Sequence, residues 1–337
     1  MTDAPEPAPR PRHRSVVPRA PDDVHPASVT PGPIAVLPEA DPAFGAAVER
    51  AGGTVGPISP ATRGIVWTAS SGAAILGDLL EVHPDVSWVQ LPWAGVDAFA
   101  GLFARFHDDG RVWTSAKGAY AQPVAEHALM LALALARLLP RRVSARTWEA
   151  DEAGRTLYGA EVVIIGAGGI AVELLRLLQP FGVRATVVRR RTLPVEGAGR
   201  TVPVSELGSV LGGAEVVFLA AALTPESSGL IGRSELARMP RGSLLVNVAR
   251  GGLVETEALV DALESGRLGG AGLDVTDPEP LPDGHPLWTA PNCIVTPHVA
   301  DTESMTVPLL AERIARNTRA FLGDGRFEGR IDLAAGY

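Results

Sequence analysis

Three segments of the chain combine an apolar run with side chains that could carry acid–base chemistry. The segments 246–252, 272–281 and 296–300 contain Arg250, Glu279 and His298, respectively. Each apolar run predicts a strand, and the ends of parallel strands meet at the sheet edge where open α/β proteins bind their ligands. We therefore expect the three side chains to lie together, although each alone could be a surface ion pair, a loop charge or a capping residue.

A glycine-rich turn follows an apolar strand earlier in the chain. The run 162–165 is followed by Gly166, Gly168, Gly169 and Ile170, with Ala171 at the third small position. Gly166 permits a tight turn, Gly168 lets the backbone approach a pyrophosphate, and Ala171 lets the next helix pack on the strand. The phosphates would face free N–H groups at the positive end of that helix. Such turns often serve packing alone, but a strand before it and a helix after it favour a dinucleotide site.

Three consecutive arginines, Arg189, Arg190 and Arg191, stand at the end of the next predicted strand. An NAD-specific site would carry an acidic residue there for the ribose 2′-hydroxyl. Guanidinium groups instead bind a 2′-phosphate through bidentate, charge-assisted hydrogen bonds. The triplet favours NADP as the cofactor; NAD stays open, because the arginines could also form a solvated basic turn.

The elements that must position these residues alternate between strand and helix. Short apolar runs predict strands at 34–37, 64–68, 86–91, 162–165, 185–188, 216–220, 244–246, 271–275 and 294–295. Apolar residues at helical spacing predict helices near 44–51, 122–139 and 304–322. Near-continuous apolar strands separated by helices indicate an α/β fold with parallel sheets covered on both faces. His127, inside the long helix, is interpreted as a packed or capping residue and is left out of the site.

Composition narrows the classes of function. A chain of 337 residues, 46% of them apolar, is long enough for about two domains. The single cysteine, Cys293, excludes an internal disulfide and a multi-cysteine metal site, so we expect no metal and a cytoplasmic location. The net charge of −8 argues against nucleic acid, and the longest apolar run is too short to span a membrane. Residues 1–32, rich in proline and arginine, are expected to form a disordered tail.

Together these motifs closely resemble the D-isomer-specific 2-hydroxyacid dehydrogenase family, with glyoxylate/hydroxypyruvate reductases as the nearest likeness. The resemblance covers about Pro33 to Tyr337. It rests on the Ala94-Gly95-Val96-Asp97 loop, the Ala125-Glu126-His127 helix, the glycine turn, the Leu223–Ser227 segment and the three segments named first. The order of several motifs makes the resemblance specific.

The resemblance implies two Rossmann-like or flavodoxin-like α/β domains with a cleft between them. Residues 33–117 and 300–337 would form the substrate domain, and residues 118–299 the dinucleotide-binding Rossmann domain. Family members are commonly dimers, so the resemblance also implies a homodimer.

The resemblance further implies a role for each residue of the site. Arg250 would bind the carboxylate or keto oxygen of the substrate and stabilise the negative charge that develops on that oxygen. His298 would donate a proton to the oxygen, and Glu279 would keep the imidazole protonated and oriented. Further substrate contacts would come from Trp93, Ala94 and Gly95. Further cofactor contacts would come from Ala222, Thr224, Val248, Ala249, Arg250 and Asp274.

The expected function is an NAD(P)H-dependent D-2-hydroxyacid dehydrogenase that works chiefly as a 2-keto acid reductase. Its partner would be a small 2-keto or 2-hydroxy acid. Two alternatives remain open. One is a dinucleotide-sensing regulatory protein with the same fold, and the other is an NAD-dependent dehydrogenase of the phosphoglycerate or lactate type.

Overall fold

A computed structural model describes residues 13–16, 29–334 and 336. Two parallel sheets organise this part of the chain, one of four strands and one of seven. The remainder of the expected tail, residues 1–12 and 17–28, lies outside the described residues. Within residues 29–334, no helix has the length and apolar composition that a membrane span requires.

The smaller sheet comes first in the chain. Its strands lie in the order β1-β2-β3-β4. The strands are β1 (Ile34–Leu37), β2 (Gly64–Trp67), β3 (Trp88–Gln90) and β4 (Val112–Thr114), and the helices are α1 (Pro42–Arg50), α2 (Ala73–Val82) and α3 (Ala100–Arg105). Asp41 caps α1, since its Oδ1 accepts from Ala43 N at 2.7 Å, and Pro42 has the fixed φ that a first helical residue needs. The sequence did not predict β4, a strand of only three residues.

The larger sheet contains the strands that lead into the glycine-rich turn and the arginine triplet. Its strands lie in the order β11-β10-β9-β8-β5-β6-β7. They are β5 (Glu161–Ile165), β6 (Arg184–Arg189), β7 (Arg200–Pro203), β8 (Val216–Leu219), β9 (Ser243–Asn247), β10 (Leu268–Leu273) and β11 (Cys293–Val295). All residues of β8 and β9 are buried, as expected of strands covered on both faces. Two strand predictions need correction: β7 was missed, and β10 begins at Leu268 and ends before Val275, because its glycine-rich start gives little apolar signal.

Helices cover both faces of the larger sheet. They are α4 (Ala121–Ala136), α5 (Leu139–Ser144), α6 (Gly169–Leu178), α7 (Leu207–Leu211), α8 (Arg233–Arg238) and α9 (Thr256–Glu264). The prediction of one helix over 122–139 is wrong at its end. Leu138 has φ +52°, and α5 starts directly after it with Pro140 in its first turn. Pro140 donates no backbone hydrogen bond, so it fits the first turn of a new helix but not the interior of a continued one, and the positive φ of Leu138 separates α4 from α5.

The last helix, α10 (Glu303–Leu322), returns the chain to the smaller sheet. The ring of Phe321 lies 5.2 Å from that of Trp88, and Asn317 Nδ2 donates to Oε1 of Gln90 at 2.7 Å. Burying aromatic side chains of this kind stabilises the fold by roughly 1.5 to 3 kcal/mol each. The chain therefore crosses between the two sheets twice, near residues 117 and 300.

Residues 13–16 lie against both parts of the molecule. Val16 N donates to Gly118 O at 2.8 Å, Arg14 N donates to Oε1 of Gln122 at 2.7 Å, and Arg313 Nη2 donates to Oγ of Ser15 at 3.0 Å. For these four residues the prediction of a disordered tail over 1–32 is wrong. The expectation relied on composition, and composition does not reveal that backbone groups of a proline-rich segment can find partners on the folded body.

Candidate active site

The glycine-rich turn lies where the strand order of the larger sheet reverses. β5 pairs with β6 on one side and with β8 on the other, and the turn joins β5 to α6. Open α/β sheets bind ligands in the crevice at such a point. Gly166 has φ +115°, and a Cβ there would lie 2.5 Å from the carbonyl carbon of Ala220. Only glycine fits both this backbone conformation and this close neighbour.

The absence of a side chain has a different consequence at Gly168 and at Gly169. A Cβ on Gly168 would meet nothing within 4 Å, whereas one on Gly169 would lie 2.5 Å from Val16 O and 3.0 Å from the Cβ of Ala121. Gly169 therefore allows α4 and the N-terminal segment to approach α6. Gly168 leaves open space at the N-terminus of α6, where free N–H groups and the helix dipole favour an anion. The turn thus fits the pyrophosphate of a dinucleotide.

The arginine triplet lies beside this turn. Gly166 N donates to Val188 O at 2.8 Å, so Arg189, the last residue of β6, follows directly. Arg189 is half-buried, and Arg190 and Arg191 are exposed. Burial lowers the pKa of the Arg189 guanidinium from its ordinary value, and the nearby charge of Arg191 lowers it further. A concentration of positive charge here fits an additional phosphate on the ribose.

His298 and Glu279 form a hydrogen-bonded pair. Nδ1 of His298 lies 2.6 Å from Oε1 of Glu279, and the two side chains are 48% and 41% exposed. His298 has φ +53°, and its backbone N donates to Asp274 O at 2.8 Å and to Thr296 O at 2.9 Å. These bonds hold a backbone conformation that is uncommon for a residue with a side chain. Nε2 of the imidazole is the nitrogen left for a substrate.

The loop that carries Glu279 is fixed by its own polar groups. Oε2 of Glu279 accepts from Thr276 N at 3.4 Å, and Thr276 Oγ1 donates to Pro278 O at 2.8 Å. Thr256 Oγ1, at the start of α9, donates to Asp277 O at 2.6 Å. The carboxylate is therefore presented to His298 by a loop anchored to a neighbouring helix.

Arg250 lies on a turn that Asn247 holds in place. Asn247 is the last residue of β9 and is 1% exposed. Its Nδ2 donates to Arg250 O at 2.9 Å, and its Oδ1 accepts from Ala249 N at 3.1 Å. A buried amide with both ends bonded orders the turn, because breaking either bond would leave a buried polar group without a partner.

The guanidinium of Arg250 contacts the opposite side of the cleft. Its Nε donates to Oδ1 of Asp97 at 3.2 Å, and its Nη1 donates to Ala249 O at 2.7 Å. A Cβ on Gly95 would overlap Nη2 of Arg250 and lie 2.5 Å from its Cζ. Arg250 follows the larger sheet, and Gly95 and Asp97 follow the smaller one, so the two parts of the molecule meet at this side chain.

The model of the D-isomer specific 2-hydroxyacid dehydrogenase family, NAD-binding domain, matches residues 128–300, which is about half of the chain. The chain belongs to this family. It is accordingly an NAD(P)-dependent oxidoreductase of 2-hydroxy acids, and the expected fold class is confirmed.

Named relatives and solved structures agree with this assignment. A glycerate dehydrogenase of Methylorubrum extorquens is 31% identical over 73% of this chain and 79% of its own length. A glyoxylate reductase/hydroxypyruvate reductase of Mus musculus is 33% identical over 61% of this chain and 65% of its own. A 2-hydroxyacid dehydrogenase of Xanthobacter autotrophicus, solved with NADPH and MES, has a TM-score of 0.77 at 28% identity and covers 91% of this chain and 100% of its own.

In this dehydrogenase Asp274 braces from inside the loop that carries His298. It is 2% exposed, and its carboxylate accepts from Thr296 Oγ1 at 2.6 Å, Val299 N at 3.0 Å and Ala300 N at 3.0 Å. His127 Nε2 lies 3.0 Å from Thr296 Oγ1, so His127 links α4 to the same loop. The contact of Asp274 with a cofactor stays a prediction.

The other predicted residues follow strands of both sheets: Trp93 and Ala94 come after β3 of the smaller sheet, and the rest come after strands of the larger sheet. Trp93 and Ala94 are exposed, and Trp93 packs edge-on against Tyr120 with ring centroids 5.7 Å apart. Val248 and Ala249 are buried, and Ile170 is partly buried. Thr224 Oγ1 donates to Oε2 of Glu226 at 2.8 Å, and Ser227 Oγ donates to Ala222 O at 2.9 Å. Their substrate and cofactor contacts likewise stay predictions.

Several residues of the dehydrogenase that lie at the site had no role assigned from the sequence. Asn247 holds the Arg250 turn, Asp97 binds the guanidinium of Arg250, and Asp301 follows closely after His298. Asn247 could have been found from the sequence, because it is a polar residue directly after the apolar run of a buried strand. Asp97 could not be paired with Arg250, 153 residues away, without the tertiary structure.

The arrangement can bind an acid and move a proton. A guanidinium, an imidazole held by a carboxylate, and an anion-binding helix N-terminus share one cleft. Among the described residues no group of three His, Cys, Asp or Glu side chains is placed to hold a metal ion. The positive charge that the site offers to a substrate oxygen comes from Arg250 and from His298 when it is protonated.

Proposed function

We propose that this protein is an NADPH-preferring reductase of small 2-keto acids, with glyoxylate and hydroxypyruvate as the leading substrates. The observation that carries the proposal is that Arg250 and the hydrogen-bonded His298–Glu279 pair follow the neighbouring strands β9, β10 and β11, in the sheet that also holds the dinucleotide turn. A bound nicotinamide dinucleotide would supply the hydride for the keto carbon. The residues of the chain would bind the acid and supply the proton.

Arg250 is suited to orient the substrate. Its guanidinium can donate to the carboxylate or keto oxygen, and backbone N–H groups of the Ala94–Gly95 loop lie beside it. Negative charge grows on the keto oxygen as it becomes an alkoxide, and a fixed cation stabilises that charge more than it stabilises the neutral carbonyl.

His298 is suited to act as the general acid. Glu279 accepts the Nδ1 proton of the imidazole, which fixes the orientation of the ring and points Nε2 away from the carboxylate. In the reductive direction Nε2 gives its proton to the substrate oxygen. In the oxidative direction the neutral imidazole takes that proton back.

The preference for NADPH rests on the arginine triplet. Arg189 and Arg190 stand where an NAD-specific site would place an acidic side chain, and the turn beside them fits a pyrophosphate. The Xanthobacter autotrophicus structure has NADPH bound. The Mus musculus relative, named a glyoxylate reductase/hydroxypyruvate reductase, supports these two acids as substrates, and the Methylorubrum extorquens relative is named for another small 2-hydroxy acid, glycerate.

The direct test is an activity panel. Purified protein is mixed with NADPH or NADH and with glyoxylate, hydroxypyruvate, pyruvate and phenylpyruvate, and the loss of absorbance of the reduced cofactor is followed. We expect turnover with NADPH and a decrease of kcat of about 10² to 10⁴ in His298→Asn. The control is Glu49→Gln, which replaces an exposed carboxylate on α1 with an uncharged amide. Tight NADPH binding without turnover of any keto acid would instead favour the dinucleotide-sensing regulatory protein. Faster turnover with NADH than with NADPH would favour the NAD-dependent dehydrogenase of the phosphoglycerate or lactate type.

We also propose a homodimer. Large apolar side chains are exposed on α4, on α5 and in the segment that follows: Met130 is 43% exposed, Leu139 46%, Val143 68% and Trp148 94%. A second copy of the chain covering this surface would remove it from water. Sedimentation should give a dimer that Trp148→Glu weakens, and a monomer for the unaltered protein would contradict the proposal.

A further inference from the structure

We propose that His127 is a positioning residue for the general acid, and that it acts by donating a hydrogen bond to the loop that carries His298. The inference rests on the proposed function, because it names what holds the proton donor of the same site. His127 lies on α4, apart from the strand ends that supply the other side chains of the site. Its imidazole is tied to the His298 loop through two polar side chains, those of Thr296 and Asp274.

The directions of these hydrogen bonds make His127 a donor. Thr296 Oγ1 donates to Oδ1 of Asp274 at 2.6 Å, and a hydroxyl has a single proton to give. Nε2 of His127 lies 3.0 Å from that hydroxyl oxygen and 3.5 Å from the same oxygen of Asp274, so both of its neighbours are acceptors. Nε2 therefore carries a proton, either in the neutral Nε2–H tautomer or in the imidazolium.

The chain of hydrogen bonds ends on a buried carboxylate. The side chain of Asp274 is 1% exposed, and that of His127 is 14% exposed. A buried carboxylate needs hydrogen-bond donors at its oxygens, and Asp274 also accepts from Val299 N and Ala300 N, each at 3.0 Å. A free hydroxyl can rotate, so the bond from His127 keeps the Thr296 proton directed at this carboxylate.

The same two residues hold the backbone of His298. Its N–H donates to Asp274 O at 2.8 Å and to Thr296 O at 2.9 Å, and its φ is +53°. A positive φ is uncommon for a residue with a side chain and persists only where the surroundings enforce it. The bond between the Thr296 and Asp274 side chains links the residues that supply the two carbonyls. His127 therefore helps to set the direction of the His298 imidazole through them.

Helix α4 is a firm base for this donor. His127 and Leu131 are one turn apart and share a face of the helix. A Cβ on Gly272 of β10 would lie only 2.9 Å from the Cβ of Leu131, so α4 packs directly on the strand that leads to Asp274. The hydrogen bond of His127 thus fixes the loop relative to the core of the larger sheet.

The first test removes the donor and then restores it. We expect His127→Leu to lower kcat for the best keto acid about tenfold, less than the roughly 100-fold that a misplacement of about 1 Å can cost. His127→Gln should keep kcat within about threefold of the unaltered protein, because the amide Nε2 can donate from a similar place. KM for NADPH should stay unchanged in both variants. If His127→Leu does not fold, His127→Asn, whose shorter side chain withdraws the donor, takes its place.

The solvent deuterium isotope effect on kcat separates positioning from a general loss of structure. It should rise in His127→Leu, because proton transfer from His298 becomes slower relative to the other steps. The matched control is His107→Leu, which makes the same substitution at a histidine whose side chain is 60% exposed. It should change neither kcat nor the isotope effect. Equal losses of kcat in His127→Leu and His127→Gln would overturn the inference.

Thr296→Val tests the path of the effect. Valine keeps the shape of threonine without the hydroxyl, so the bond from His127 and the bond to Asp274 are both lost. If His127 acts through Thr296, adding His127→Leu to Thr296→Val should lower kcat no further. Additive losses in the double variant would show that the two residues act separately and would overturn the inference.

Hydrogen exchange measures the same bracing without turnover. The backbone N–H groups of Val299 and Ala300 donate to Asp274, so they should exchange about tenfold faster in His127→Leu than in the unaltered protein. Their exchange in His127→Gln should be close to that of the unaltered protein. This order in a protein that reduces no keto acid would refute the proposed function and leave the inference standing. Unchanged exchange together with unchanged kcat in His127→Leu would overturn the inference.

Discussion

Replacing Gly95 with alanine tests whether the cleft depends on the close approach of the two sides. The added Cβ would lie 2.5 Å from Cζ of Arg250, while non-bonded carbons prefer about 3.5 to 4.0 Å. Because the same Cβ would also overlap Nη2, the guanidinium must withdraw by at least about 1 to 1.5 Å. A misplacement of about 1 Å in a positioning group can cost about 10²-fold in rate, which corresponds to about 2.7 kcal/mol of lost transition-state stabilisation.

The assay is steady-state reduction of the best keto acid with saturating NADPH. We expect kcat/KM of Gly95→Ala to fall about 100-fold, with the larger share in kcat if Arg250 acts mainly on the transition state. The affinity for NADPH should stay unchanged, because Gly95 lies on the substrate side of the cleft. The melting temperature should change little, because the displaced side chain can move toward solvent.

Gly45→Ala is the matched control. Gly45 lies inside α1, and a Cβ there would meet nothing within 4 Å. Alanine is favoured over glycine in a helix interior by up to about 1 kcal/mol, so the melting temperature should rise slightly with activity unchanged. If Gly95→Ala keeps kcat/KM within about threefold of the unaltered protein, the guanidinium does not need its present position, and the argument for Arg250 is refuted.

Three further predictions concern other parts of the chain. Arg190→Ala should raise KM for NADPH about tenfold and leave KM for NADH unchanged, since a charge-assisted hydrogen bond contributes about 1.5 to 3 kcal/mol; an equal effect on both cofactors would contradict it. Removal of residues 1–16 deletes the hydrogen bonds to Gly118, Gln122 and Arg313. It should therefore lower the free energy of unfolding, measured by urea denaturation, by about 1 to 2 kcal/mol. An unchanged midpoint of the urea transition would show that the segment does not stabilise the fold. Cys293 is partly buried, and desolvation raises the pKa of its thiol to about 12, so at pH 8 the thiol should react with an alkylating reagent much more slowly in the native protein than in the unfolded protein; equal rates in the two states would contradict this prediction.

The strand pattern of the larger sheet could be predicted because its central strands are buried on both faces. Val162–Ile165 and Val216–Leu219 read as continuous apolar runs, and each was found near its predicted place. Short or edge elements gave no such signal. β4 has three residues, and β7 lies at the edge of the sheet, where fewer apolar side chains are needed.

Local chemistry explains the errors at the ends of elements. The helix predicted to run to Leu139 stops at Ala136, where the apolar pattern continues but Leu138 and Pro140 break the backbone. Hydrophobic periodicity records which face is buried, and it contains no information about one residue with positive φ. The docked residues 13–16 were missed because their partners, Gly118, Gln122 and Arg313, lie far away in the chain and no local pattern indicates such contacts.

The sequence by itself determined which chemistry the site can perform. The glycine turn, the arginine triplet, and Arg250, Glu279 and His298 are recognisable from residue type and spacing, because a strand end followed by a polar residue has a fixed place in a parallel sheet. Only the tertiary structure decided how those groups are balanced. The pairing of Arg250 with Asp97 and the contact of His127 with Thr296 join residues 153 and 169 positions apart in the chain, and such distances are set by tertiary packing.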